Sequence, residues 1–391
     1  MTAIFIKNAA SLSHTTLISK VLKQSALSLY VSILVTLTLG SPMVGALEWV
    51  AVGENGTILR SSDGIVWEAS NSGTPETLRG VYFDGATTWV AAGQNGTLVN
   101  SQDAADWGLQ VSGIAAQLWG AFFADGQWIV TGGSQGYILG STNSTDWEVL
   151  DGPRSFSLYD IGYDGSGLYL AAGADASLAK VLTSSDGVMW EQNPLTSSID
   201  KALYGIAYVN GLWVGVGDGG TILTSSDPSS GIWTVRSSNT TEPLRDVVFN
   251  GSDQVVAVGY NGTILTSEDG IEWTAQISGV ADEDGEDGED LWGIEYDPAG
   301  LYVAVGTFGT ILTSNNGEDW VKRASPSLQW LRDVAVGRID EVNPPDPDPI
   351  SPTGIPTTPL WSIMLAIIAV LWNARRYRQV KSLDGIDKLT L

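Results

Sequence analysis

The chain of 391 residues contains no cysteine and one histidine, His14. Without cysteine there are no disulfides, no thiolate metal sites and no thiol nucleophile. His14 falls in an N-terminal segment expected to be removed, so the mature chain is expected to carry no histidine at all. That excludes histidine general bases, Ser-His-Asp triads and histidine-ligated zinc. Basic side chains are scarce, 19 Lys and Arg against 44 Asp and Glu, for a net charge of −25. Residues 47–339 alone hold 38 acidic and 11 basic side chains. Such a surface repels phosphate backbones, which argues against a nucleic-acid partner, and it favours solubility and cationic partners. In excess are glycine, 46 residues, and tryptophan, 16, in a chain that is 43% apolar. This combination points to a turn-rich globular fold and not to a disordered chain or a helical bundle.

The two ends read as addresses. Residues 1–46 lack acidic side chains; Lys7, Lys20 and Lys23 precede the apolar stretch Ala26–Leu39, and Val44-Gly45-Ala46 closes the segment. A basic region, an apolar core and a small-residue site describe a secretory signal peptide cleaved after Ala46. An uncleaved N-terminal anchor is the alternative, and either one exports the chain beyond residue 46. Residues 340–359 form a linker rich in Pro and Asp, suited to an extended polyproline-II stalk. Residues 360–374 read as a transmembrane helix bracketed by Trp361 and Trp372, and residues 375–391 as a basic cytoplasmic tail opening with Arg375, Arg376 and Arg378. Ile355-Pro356-Thr357, then the apolar helix, then Arg375-Arg376, resembles the IPTL-type carboxy-terminal sorting signals of Gram-negative bacteria. The sequence departs from that pattern at Thr358-Pro359 and by continuing 15 residues past Arg376. The expected location is the periplasmic or cell-surface face, anchored by the C-terminal helix.

Internal repetition decides the architecture between these ends. Trp67, Trp107, Trp147, Trp190, Trp233, Trp273 and Trp320 recur at spacings of 40, 40, 43, 43, 40 and 47. Before each tryptophan stand three short runs of β-branched and aromatic residues: an LRGVYF-like run (Leu78–Phe83), a WVAVG-like run (Trp49–Gly53) and a GTIL-like run (Gly56–Leu59). Four strands every forty-odd residues describe the blade of a β-propeller. The region opens with a second strand at Leu47 and closes with an unpartnered first strand, Leu331–Val336. Pairing the two predicts an all-β, seven-bladed propeller of four-stranded blades, closed by its own ends, over residues 47–339. Asn55-Gly56, Asn95-Gly96 and Asn261-Gly262 predict type I′ turns, which need positive φ at both central positions. The repeat tryptophans are expected to fill the gaps between blades.

The phrase ending at each tryptophan resembles a degenerate Asp-box, the repeat of bacterial neuraminidases and other propellers. In that frame the Asp position holds Ser62, Gln102, Thr142, Ser185, Glu268 and Asn315, and the insertion Asp227–Gly231 breaks the fifth repeat. The WVAVG–GTIL–SxDGxxW cadence as a whole is similar to the photosystem II assembly and stability factor family. That resemblance implies a seven-bladed lumenal or periplasmic propeller that acts as an assembly chaperone without enzymatic activity.

One set of positions stands out. The second residue of each first strand is Arg79, Trp119, Tyr159, Tyr204, Arg245, Trp292 or Arg332, always aromatic or arginine. If that strand is innermost, these residues ring one mouth of the central channel, either as a partner-binding ring or as channel filling. A second candidate is the acidic insertion containing Asp282, Asp284, Asp287 and Asp290, either a Ca²⁺ site or a solvated loop. No other cofactor is expected. The functional expectation is a non-enzymatic scaffold or assembly factor that binds a protein in the cell envelope. A glycan-binding adhesion module is the alternative. A neuraminidase-like glycosidase is the third reading; two carboxylates would suffice for it, but the Arg-Ile-Pro motif is missing.

Overall fold

Short β-branched runs separated by glycine-bearing turns pair in sequence order as antiparallel sheets of four strands, and there are seven such sheets. The computed structural model describes residues 46–195, 199–280 and 288–339. The expected signal peptide, linker, helix and tail at 1–46 and 340–391 therefore lie outside the described residues, apart from Ala46. Among the described residues, no helix is long and apolar enough to cross a membrane.

Blade 1 contains both ends of the described chain. Leu331–Ile339 pairs with Ala46–Gly53, followed by Thr57–Ser61 and Glu68–Asn71. This is the predicted closure, and it leaves the ring no open sheet edge between its first and last blades. Blades 2 to 7 begin with the inner strands Leu78–Phe83, Leu118–Ala124, Ser157–Tyr163, Leu203–Val209, Leu244–Phe249 and Leu291–Asp297. The closing strand extends three residues beyond the expected Val336, and Ala46, the expected cleavage residue, already pairs with Ile339.

Burial within a blade explains the apolar pattern. In the second strand of blade 2, Trp89–Gly93, every residue is buried, because neighbouring blades cover both faces of the sheet. Such a strand needs a continuous apolar run instead of alternation. The fourth strand, Gly108–Val111, is mostly exposed at the rim. The repeat tryptophans do seal the gaps: Trp67 packs with Val303 and Ile311 of blade 7, and Trp190 with Ile129 and Ile138 of blade 3. The turns follow the same logic. Asn55 and Gly56 have φ of 54° and 67°, and a Cβ on Gly56 would lie 1.8 Å from the Thr74 carbonyl oxygen, so only glycine fits. Asn95-Gly96 and Asn261-Gly262 also hold positive φ at both positions, as predicted.

The Asp-box frame needs correction. The residue that shapes each rim hairpin is one position later than expected: Asp63, Asp103, Asn143, Asp186, Asp269 and Asn316. Asp63 Oδ1 accepts from the backbone N–H groups of Ile65 and Val66 and from the Ser61 hydroxyl. Asp186 repeats this with Val188, Met189 and Ser184. The expected positions, such as Ser62 and Ser185, are exposed. The acceptor is Asp or Asn in all six, directly before a residue of positive φ: Gly64, Ala104, Ser144, Gly187, Gly270 or Gly317. In blade 5, Asp227 instead caps a short helical turn, Pro228–Ser230. Six repeat tryptophans donate Nε1 to the carbonyl three residues back, as Trp190 does to Gly187 at 3.0 Å. The insertion removes that partner from Trp233, whose Nε1 is buried without one.

Candidate functional site

Each inner strand carries an irregularity at its second residue. In blade 2, Leu78 pairs with Gly93 and Gly80 with Ala92, so Arg79 is left without a cross-strand partner. The same skip occurs at Tyr159, Tyr204, Arg245, Trp292 and Arg332, and in blade 3 both Trp119 and Gly120 are skipped. A bulge inserts an unpaired residue and re-aims its side chain. Here seven bulges turn seven large side chains toward one mouth of the channel, and the ring expected from the sequence is brought together there around a cavity of about 80 Å³. All seven are half-buried.

The ring is continuous. The Arg79 guanidinium lies 4.2 Å from the Trp119 ring centroid. Trp119 meets Tyr159 edge-on at 5.1 Å, and Tyr159 meets Tyr204 at 5.3 Å. Arg245 then lies 4.1 Å from Tyr204 and 4.4 Å from Trp292, and Arg332 lies 4.2 Å from Trp292. Each cation–π contact contributes about 0.5–2 kcal/mol, so the ring has packing value. It is nevertheless under-satisfied. Among the described residues, eight buried side-chain donors find no acceptor, and five of them belong to this ring: Nε of Arg79, Arg245 and Arg332, and Nε1 of Trp119 and Trp292.

The three arginines differ. Arg332 pairs with Glu54 at 2.5 Å, and Arg245 donates to the Tyr260 hydroxyl. Arg79 has no hydrogen bond or ion pair among the described residues. Burial, with the like charge of Arg332 adding to it, pulls its pKa down to about 10. The Glu54 carboxylate offsets this only in part. A half-buried guanidinium with no hydrogen bond or ion pair of its own is the arrangement that an incoming anion or acceptor relieves.

Below the ring lies a feature not expected from the repeat motifs. The third residue of each inner strand is Gly80, Gly120, Asp160, Gly205, Asp246, Gly293 or Asp333. Each aspartate accepts from the next backbone N–H in its own strand and from an inner strand of the next blade. Asp160 joins Ile161 to Ile206, Asp246 joins Val247 to Ile294, and Asp333 joins Val334 to Val81. Each acceptor thus reaches a strand whose own third residue is glycine. Burial, resisted by these N–H bonds, pushes all three carboxyls up, and mutual repulsion adds to it for Asp160 and Asp333. Deeper still, burial pushes Glu295 up to about 8. A second cavity, of about 270 Å³ and touching Tyr82, Phe122 and Glu295, lies on the far side of this belt. The alternation of Gly and Asp at position three was the available signal; cross-blade pairing gives it meaning.

Of the acidic insertion, Asp282, Asp284 and Asp287 lie outside the described residues. Asp290 is described, and its Oδ1 accepts from the Asn261 N–H at 3.0 Å while its own N–H reaches Thr307 Oγ1 at 2.9 Å. Among the described residues, no three Asp, Glu, His or Cys side chains gather as a metal site.

The mouth that carries the ring is the one where the Asn-Gly turns lie. Glu54 N–H bonds to the Trp330 carbonyl and Gln94 N–H to that of Thr77, tying these turns to the start of the inner strands. Ala46 and Ile339 pair at the opposite end of blade 1.

No family model and no curated protein matches the chain. Solved structures resemble it at low identity. YCF48 bound to D1 peptide aligns with a TM-score of 0.55 at 18% identity, covering 70% of this chain and 92% of that one. YCF48 from Cyanidioschyzon merolae gives 0.54 at 17%, covering 70% and 96%. The WD40 β-propeller domain of Doa1 gives 0.50 at 14%, covering 68% and 90%. These likenesses establish the propeller fold.

Proposed function

We propose that this chain is a non-enzymatic, exported and membrane-tethered scaffold that captures a segment of another protein at the ring mouth, in the manner of an assembly or stability factor. The observation that carries the reading is the set of five buried donors without acceptors in one ring, with Arg79 making no hydrogen bond or ion pair among the described residues. The other three, on Trp49, Trp89 and Trp233, are isolated donors in the inter-blade core, whereas these five share one cavity mouth. The YCF48 structure, with the same fold and a peptide bound, supports a peptide segment as ligand, and the sequence resemblance to photosystem II assembly factors points the same way. The aromatic faces of Trp119 and Trp292 already carry guanidiniums, which favours a polypeptide rich in acceptors over a stacked sugar.

The test compares wild type with Arg79→Gln and with Arg79→Gln/Arg245→Gln/Arg332→Gln in native membranes, by cross-linking and mass spectrometry. The expected result is weakened partner capture in the single variant and loss in the triple one, with the Tm of Arg79→Gln unchanged. Undiminished capture by the triple variant would sink the binding reading. Unfolding of Arg79→Gln would assign the ring to packing. The same wild-type protein is expected to leave a fluorogenic sialoside unhydrolysed.

A further inference from the structure

The ring is uneven around its circumference, and the asymmetry points to how a ligand lies. On the side of blades 7 and 1 the aromatic surface continues outward. Arg332, 4.2 Å from Trp292 within the ring, also lies 5.0 Å from the Trp330 ring, and Trp330 meets Phe308 edge-on at 6.3 Å. Phe308 is 58% exposed, and Leu328, in the same loop as Trp330, is 82% exposed. Phe308 also holds an unfavourable backbone. It occupies the first positive-φ position of the Asn-Gly type turn, with φ of 55°, where the matching residues are Asn55, Asn95, Gly219 and Asn261. A bulky residue in the left-handed region is an outlier. An exposed phenylalanine gains nothing for folding by sitting where asparagine or glycine serves four other blades.

We infer that Phe308, Trp330 and Leu328 form a specificity subsite for a large aliphatic side chain of an extended peptide whose acidic residue is held by the arginines of the ring. The inference rests on the capture reading above and adds direction and spacing to it: the segment crosses the mouth radially over blades 7 and 1. The Arg332 guanidinium and the Phe308 ring are no more than about 11 Å apart along this path, a span bracketed by two and four residues of extended chain at ~3.3 Å each, the even separations that turn both side chains to one surface. Charge complementarity fixes the acidic end, because the unpartnered donors lie at the ring, and the apolar surface begins where they stop.

The test uses fluorescein-labelled, C-terminally amidated Gly/Ser peptides with one Glu and one Leu, one to five residues apart in either order. Fluorescence anisotropy is read against the detergent-solubilised full chain. Binding is expected to be strongest at an even separation, two or four, and weak at one, three and five, where the two side chains point to opposite faces. Phe308→Asn is expected to weaken the Leu-bearing peptide about tenfold, as for loss of one leucine's burial, while leaving a Leu-free peptide unchanged. Because asparagine suits this turn, Phe308→Asn should also raise the Tm, which separates lost binding from lost folding. If Phe308→Asn binds the whole series as wild type does while Arg79→Gln weakens it, the subsite is wrong and the ring reading stands. If Arg79→Gln weakens nothing, or no peptide binds, the ring reading falls and the subsite with it. Self-association abolished by Phe308→Asn would instead assign the patch to a second copy of the chain.

Discussion

Arg79 and the three belt aspartates show opposite uses of burial. The arginine is charged, half-buried and unpaired, a condition that costs stability until an acceptor arrives. The aspartates, half-buried in the channel wall, are given two N–H donors each, so their cost is offset by joining neighbouring blades. Their raised pKa values have a consequence with a definite sign. An acid whose folded pKa exceeds its unfolded value of about 4 contributes stability below that value and loses it as pH rises through the folded pKa. Asp160, Asp246, Asp333 and Glu295 all shift this way, Glu295 to about 8. The rim aspartates Asp63, Asp186 and Asp269 shift downward, chiefly through backbone N–H bonds, so their contribution is lost only below about pH 4. Thermal unfolding is therefore expected to show Tm falling between about pH 5 and pH 8. Glu295→Gln should flatten that slope. A Tm that climbs across the same interval would contradict the assignment of the buried acids.

At the level of single elements, the bulge in each inner strand and the hydrogen-bonded tryptophan at each rim hairpin carry most of the design. Six tryptophans are anchored through Nε1, and Trp233 is not. Trp190→Phe should accordingly cost roughly 1 kcal/mol more than Trp233→Phe in denaturant unfolding, the difference being one hydrogen bond. Equal losses would show that the bond contributes nothing. These elements also mark what a sequence discloses. The strands, the Asn-Gly turns and the inter-blade tryptophans were legible because each rests on local residue type repeated at a fixed period. The seven ring residues were legible as an alignment, yet the reason for their direction was not, since a bulge exists only relative to the strand beside it. Asp160, Asp246 and Asp333 stood in plain view at position three, but their partners are backbone groups about 46 residues or more away. The Asp-box acceptor falls one residue off when the phrase is aligned on its leading Thr, because Ser61 and its counterparts are the residues that bond to it.

The described residues form a closed ring with two unlike faces. Closure depends on Leu331–Ile339, without which Ala46–Gly53 would be an open edge beside a fully buried Leu331 site. A chain truncated before Leu331 is expected to aggregate or lose cooperative unfolding, whereas one truncated after Ile339 should keep the Tm of the full chain. One face bears the arginine–aromatic ring and the Asn-Gly turns; the other bears the paired chain ends, toward which the rim hairpins also turn. Capture at the ring mouth is read most directly by placing a photo-cross-linking benzoylphenylalanine at Tyr159, in the ring, and separately at Met189, exposed on a rim hairpin, and identifying the adducts formed in native membranes. A single discrete partner adduct is expected from position 159, weakened when Arg79→Gln is added to the same chain, and none from position 189. An adduct from position 189 alone would contradict capture at the ring.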